Sequence, residues 1–212
     1  GTPQFEFQDR YTSAVRAWAE RLGNLLDGWW FDGCYTWPVF HNQHMVWDLW
    51  YAAARAGNPY AAVTFNDGSF CVGNILPVRP EHDYLSGETE MLVDGKARLG
   101  RETGGAAGHL PDGRFASGTN CQWHSLLPVD CFWMHGSEPP AWVPDHPYPS
   151  KRIEGKSGPM EAPLYSDEEL GRFLHDCLNA GGAVTFNVGI YQEGHLGAET
   201  VRQIARIGKP VG

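Results

Sequence analysis

The chain alternates between stretches of helical and of strand-like apolar spacing. Tyr11 to Leu22 (YTSAVRAWAERL) puts Val15, Trp18 and Leu22 on one face of a helix that Gly23 ends. Leu25 to Asp32 is apolar on both faces, as in a parallel strand covered by helices. His44 to Ala56 (HMVWDLWYAAARA) predicts a second helix, stopped by Gly57-Asn58-Pro59, and Ala61 to Asn66 (AAVTFN) a second buried strand. Gly87 to Asn120 is glycine-rich, with turn signals at Asp94-Gly95 and Asp112-Gly113, and predicts loops with a hairpin. Gln122 to Leu127 (QWHSLL) predicts another strand, and the proline-rich stretch 137–158 an extended loop. Ser166, three residues before Glu169, makes a capping box for a helix over 167–179. Ala183 to Val188 (AVTFNV) then predicts a strand and Ala198 to Ile207 a closing helix.

Helices alternating with strands apolar on both faces predict a parallel α/β architecture in a single domain over 1–212. In such folds functional groups collect at the C-terminal ends of strands. Three strands here end in polar residues: Asp32, Asn66 and Asn187. Asp32 closes the segment GWWFDGCY (28–35), where a buried strand stops at a lone acid; its competing reading is a turn aspartate before Gly33. Trp30 shares strand parity with Asp32, whereas Trp29 points the other way, toward a helix.

Composition narrows the partners. The 212 residues carry 16 Lys and Arg against 25 Asp and Glu, a formal charge of -9. That balance argues against nucleic acid or an anionic membrane, which need a basic face. Nine Trp, eight Tyr and nine His suit a small-ligand or sugar site, because rings stack on the C–H face of a pyranose; they also suit an ordinary core. The five cysteines (Cys34, Cys71, Cys121, Cys131, Cys177) show no zinc spacing and are read as reduced, buried small hydrophobes. His41 and His44 have metal-like spacing, but no carboxylate or cysteine cluster supports it, so neither metal nor cofactor is expected. The compartment is left open.

GWWFDGCY resembles the nucleophile segment of the α-L-fucosidases of glycoside hydrolase family 29. GGAVTFNVGIYQEGHLGAETVRQIARIG resembles that family's last barrel strand and helix, and EHDYLSGE and NCQWHSLL resemble further segments in the same order. The resemblance implies a TIM-type (β/α)8 barrel and retaining hydrolysis of a terminal α-L-fucoside, with a fucosylated glycan or small fucoside as substrate and no metal. It places the nucleophile at Asp32. Glu88 is the expected acid/base, with Glu90 and Glu102 as competitors and solvated loop charges as the plain alternative. Trp30, Trp37, Trp123 and His124 are candidate sugar contacts, His124 being equally a satisfied core histidine. Asn66 and Asn187 either bind substrate or brace loops.

A full barrel takes about 250 residues, and in the family several strands precede the nucleophile. Only four or five βα units are therefore expected, a partial barrel. Its open edge is expected to be completed by a second copy in a homo-oligomer, most simply a dimer. The competing functions are a non-catalytic carbohydrate-binding remnant and a related glycosidase of different sugar specificity.

Overall fold

The computed structural model describes residues 3–32, 45–66, 82–89, 91–98, 108–116, 118–131, 135 and 158–208. The long first helix, α1 (Pro3–Leu22), passes through a short 3-10 turn (Gly23–Leu25) into β1 (Gly28–Phe31). Helix α2 (Trp47–Ala54) leads to β2 (Ala62–Phe65), which pairs parallel with β1 in the register Gly28 to Ala62 through Phe31 to Phe65. A small antiparallel sheet follows: β3 (Met91–Val93), β4 (Lys96–Arg98) and β5 (Gly108–His109). The β3–β4 turn is Asp94-Gly95, both at positive φ (51° and 74°), the geometry that tight hairpins require. Strand β6 (His124–Pro128) pairs parallel with β7 (Ala183–Asn187), and α3 (Asp167–Asn179) and α4 (Ala198–Ile207) complete the order.

The architecture is thus mixed α/β, with short parallel sheets and four α-helices among the described residues. Residues 83–89 link the two parallel pairs. On one side Asp83 N donates to Val63 O (3.1 Å). On the other, Leu85 N bonds Gln122 O (3.0 Å), Thr89 N bonds Leu126 O (2.9 Å) and Leu126 N bonds Gly87 O (2.8 Å). The expected α/β character with parallel strands is present; among the described residues the parallel strands form two pairs joined by one bridging segment.

Two apolar cores lie on the helix side. Phe31, Trp50, Val63 and Phe65 form one with α1 and α2; Trp123, Leu127, Val129, Leu170, Phe173 and Cys177 form the other with α3. The face of α1 against α2 is Gln8, Thr12, Val15 and Ala19, all buried. Gln8 Oε1 accepts from Val46 N (2.9 Å) and Trp50 Nε1 (3.0 Å). Trp18, expected on that face, is instead 55% exposed. The backbone at Gly57 sits so close to Ala19 that only the next stripe of the helix is left for a large ring. The capping box at Ser166 forms, with Glu169 N donating to Ser166 Oγ (3.2 Å) and Ser166 N to Glu169 Oε2 (2.9 Å), and contributes about 1 kcal/mol to α3. Cys121, Cys131 and Cys177 are buried free thiols; Cys34 and Cys71 lie outside the described residues.

Candidate active site

Trp29 and Phe31 point from β1 into the helix-side core, Trp29 Nε1 donating to Ala54 O at the end of α2 (2.8 Å). Strand alternation sends Trp30 and Asp32 to the opposite face. There Trp30 Nε1 donates to Ser86 O (2.9 Å), which ties β1 to the bridging segment. Tyr84 OH makes the return bond to Trp29 O (2.8 Å), and burial raises its phenol well above the usual range.

The bridging segment is anchored at its start. Asp83 Oδ2 accepts from Arg55 (2.6 Å) and from Val63 N (2.7 Å), so one carboxylate fixes the segment to α2 and β2. Five residues on, Glu88 pairs with Leu126 of β6. The three polar residues at or beside the strand ends then meet. Asn66 is 1% exposed, and its N–H donates to Phe31 O (2.8 Å). Its Nδ2 donates to Asp32 Oδ1 (3.0 Å) and to Glu88 Oε2 (2.8 Å). Two carboxyl groups from separate segments thus converge on one buried amide. Asp32 is exposed and Glu88 half-buried, so the pair faces solvent while its bridge does not.

His124 lies on the same side of β6 but is turned inward. Its Nδ1 lies 2.9 Å from Leu85 O and 3.2 Å from Ser86 O, both acceptors, so Nδ1 carries the proton and Nε2 accepts from Thr185 Oγ1 (2.9 Å). Burial pushes its pKa down to about 4, against the opposing pull of the two carbonyls. Neither ring nitrogen is left for a sugar hydroxyl in this conformation. The sign of the resulting pH effect is fixed, because the unfolded chain takes up the proton first. Stability should fall as the pH drops from about 6.5 toward about 4, by up to about 3 kcal/mol, and His124→Gln should flatten that window in urea titrations.

The remaining expected contacts divide. Trp123 is 5% exposed in the α3 core, far into the helix side. Asn187 ends β7, and its Nδ2 is buried with no hydrogen-bond partner among the described residues. Trp37, Glu90 and Glu102, with His41 and His44, lie outside the described residues. Among the described residues no His, Cys, Asp or Glu cluster fits a metal ion, and no helix is long and apolar enough to cross a membrane.

Other polar groups gather past the ends of β6 and β7. His135 Nδ1 donates to Glu161 Oε2 (2.5 Å), both side chains being about nine-tenths buried. The Tyr191 ring stands 5.5 Å from His135 and stacks on His195 at 4.4 Å. Asp130, fully buried, accepts from Gly189 N and Thr200 Oγ1 (both 2.8 Å) and so locks the start of α4 onto β6. Sequence reading passed over His135–Glu161 and the two bonds of Asp130, because partners 26 to 70 positions apart leave no local signal.

No family model and no curated protein matches the sequence. Solved structures do. The chain is similar to endo-fucoidan hydrolases of glycoside hydrolase family 107. One, a histidine-to-glutamine variant, superposes with a TM-score of 0.64 at 17% identity, over 98% of this chain and 31% of that one. A second gives 0.54 at 16% identity, over 90% of this chain and 34% of that one, and a third 0.52 at 14%, over 94% and 54%. The chain therefore spans between about a third and about half of the length of the structures it matches, and at these identities the likeness concerns the fold. The resemblance to family 29 is corrected: the structural neighbours belong to family 107. Of the segments that carried it, GWWFDGCY is an apolar strand ending in an acid and a glycine, which parallel α/β sites commonly place at a strand end, so it does not separate one family from another.

Proposed function

We propose that this chain carries the two-carboxyl centre of a retaining glycoside hydrolase acting on fucose-containing glycans. The observation that carries the reading is the bridge from Asn66 Nδ2 to both Asp32 and Glu88. The bridged oxygens can be no farther apart than the sum of those two bonds. So short a span between the bridged oxygens favours the roughly 5–5.5 Å between carboxyl groups in retaining enzymes over the roughly 6.5–9.5 Å that inverting enzymes keep for a water. In this reading exposed Asp32 attacks the anomeric carbon and breaks its bond to the leaving oxygen. Half-buried Glu88 gives its proton to that oxygen, then takes a proton from the water that releases the sugar. Trp30, on the face of Asp32 and fixed by Ser86, offers a ring to the C–H face of the sugar. Asn187, at the end of β7, whose buried Nδ2 has no partner among the described residues, is a second candidate donor to a hydroxyl.

The structural neighbours are endo-fucoidan hydrolases, which supports interior linkages of a fucose polymer as the bonds cut. The test is incubation with fucan oligosaccharides of increasing length, followed by proton NMR of the first product. New reducing ends from interior bonds, with the anomeric configuration of the substrate, are expected. Inverted product would overturn the carboxyl assignment. Binding without turnover would make the chain a carbohydrate-binding unit, and turnover of other glycans alone would reassign the sugar.

A further inference from the structure

We infer that Asn66 is a positioning residue: its side-chain amide holds the Asp32 and Glu88 carboxyls apart at one fixed spacing and supplies the proton-donating group between them. The inference deepens the reading of Asp32 and Glu88 as the reacting pair and rests on it for its effect on turnover, though not for its effect on stability.

The argument starts from the chain. Asn66 follows β2, and two backbone bonds hold the surrounding stretch. Asn66 N donates to Phe31 O (2.8 Å), directly before Asp32, and Val63 N donates to Asp83 Oδ2 (2.7 Å), at the start of the segment that carries Glu88. Asn66 is therefore tied to the strand of Asp32 through backbone as well as side chain, and its own strand is tied to the segment of Glu88 through Asp83. Its burial leaves the amide almost no solvent to bond instead. A primary amide nitrogen has two hydrogens, and here each finds a carboxyl oxygen, at 3.0 and 2.8 Å. Two carboxyl groups this close repel one another whenever both are charged, and a shared donor offsets that repulsion by bonding one oxygen of each. An aspartate at 66 would have the same shape and the opposite character, an acceptor set between two acceptors.

The experiment compares wild type, Asn66→Asp, Asp32→Asn and the exchanged double variant, Asp32→Asn with Asn66→Asp. Thermal melts from pH 4 to pH 7 are the first readout and need no substrate. Asn66→Asp should melt well below wild type at pH 7, where three carboxylates meet, and approach it at pH 4, where they take up protons. The exchanged double variant restores one amide-to-carboxylate bond and should recover a good part of the loss at pH 7. A merely space-filling Asn66 would give no such recovery. A penalty that does not change with pH, or a double variant as unstable as the sum of its singles, overturns the inference whatever the enzyme does.

Turnover of a fucan oligosaccharide is the second readout. Asn66→Ala should lower kcat about 100-fold, as misplacement of a reacting group by about 1 Å does, and change KM by less than about threefold. The acid limb of the pH profile of Asn66→Asp should move to higher pH than that of wild type. If wild type turns over and Asn66→Ala keeps its kcat, the inference fails and the reading of the carboxyl pair stands. If the melts behave as expected and wild type cleaves no fucan, the bridge stands and the proposed reaction fails.

Discussion

Asp32→Ala should turn over a fucan oligosaccharide at least about 10,000-fold more slowly than wild type, and added azide should restore part of the rate. The size follows from the role. A nucleophile that forms the covalent intermediate has no substitute within the site, and its loss raises the barrier of the first step directly. Azide fills the space of the lost carboxylate and attacks the anomeric carbon from the same side, so the product should be a glycosyl azide of inverted configuration. Glu88→Ala should behave differently. The first step then lacks its proton donor, while azide stands in for water in the second step and gives a product of retained configuration. The two azide products, resolved by NMR, assign the two carboxyls independently of rate. Equal rates for Asp32→Ala and wild type would make Asp32 a turn residue before Gly33. The bridge makes the pair of variants interpretable: Asn66 retains one carboxyl partner in each, so neither substitution strips both carboxyl bonds from the buried amide.

What the sequence showed was set by local chemistry, and what it hid was set by long-range contact. Helix α3 matches its expected limits because Ser166 and Glu169 close a box that depends on four residues. Helix α4 and strand β7 follow from apolar period and glycine stops in the same way. Asp32, Asn66 and Glu88 were each legible as polar groups at or beside strand-like segments. That they meet at one amide was not, since it depends on residues 83–89 lying between β2 and β6. That segment contains Ser86 and Gly87 and has too little apolar alternation to be read as a strand. Trp18 and Trp123 show the other limit. Periodicity placed Trp18 inward, and only the close approach of Gly57 to Ala19 explains why it points out. Aromatic type suggested a sugar contact at Trp123, yet strand parity with Leu127 puts it under α3. The family assignment erred for a related reason: short strand-end motifs report the site that a parallel sheet offers, and not the lineage of the chain.

Gly87→Ala should cost more than about 4 kcal/mol, a large part of the stability of an ordinary domain. Gly87 has φ of +60°, which alone costs an alanine roughly 1 kcal/mol. The larger part is contact. A Cβ at Gly87 would lie 2.0 Å from His124 O and 2.6 Å from its carbonyl carbon, both backbone atoms of β6 with no freedom to rotate away. Relief requires the bridging segment to leave β6. That would break the bonds from Leu126 N to Gly87 O and from Thr89 N to Leu126 O, and withdraw the Leu85 and Ser86 carbonyls from His124. Gly95→Ala separates the two causes, because Gly95 has φ of +74° and nothing within 4 Å of the added carbon. It should cost only the conformational part. Urea titrations of the two variants measure the difference, and near-equal losses would mean that the close approach at Gly87 is not what holds the segment. Glu88 is the next residue along, so a Gly87→Ala chain that still folds should have lost the Glu88 arm of the bridge while keeping the Asp32 arm. Its activity should then resemble that of Glu88→Ala, including the retained azide product, which ties the geometry of one glycine to the chemistry of its neighbour.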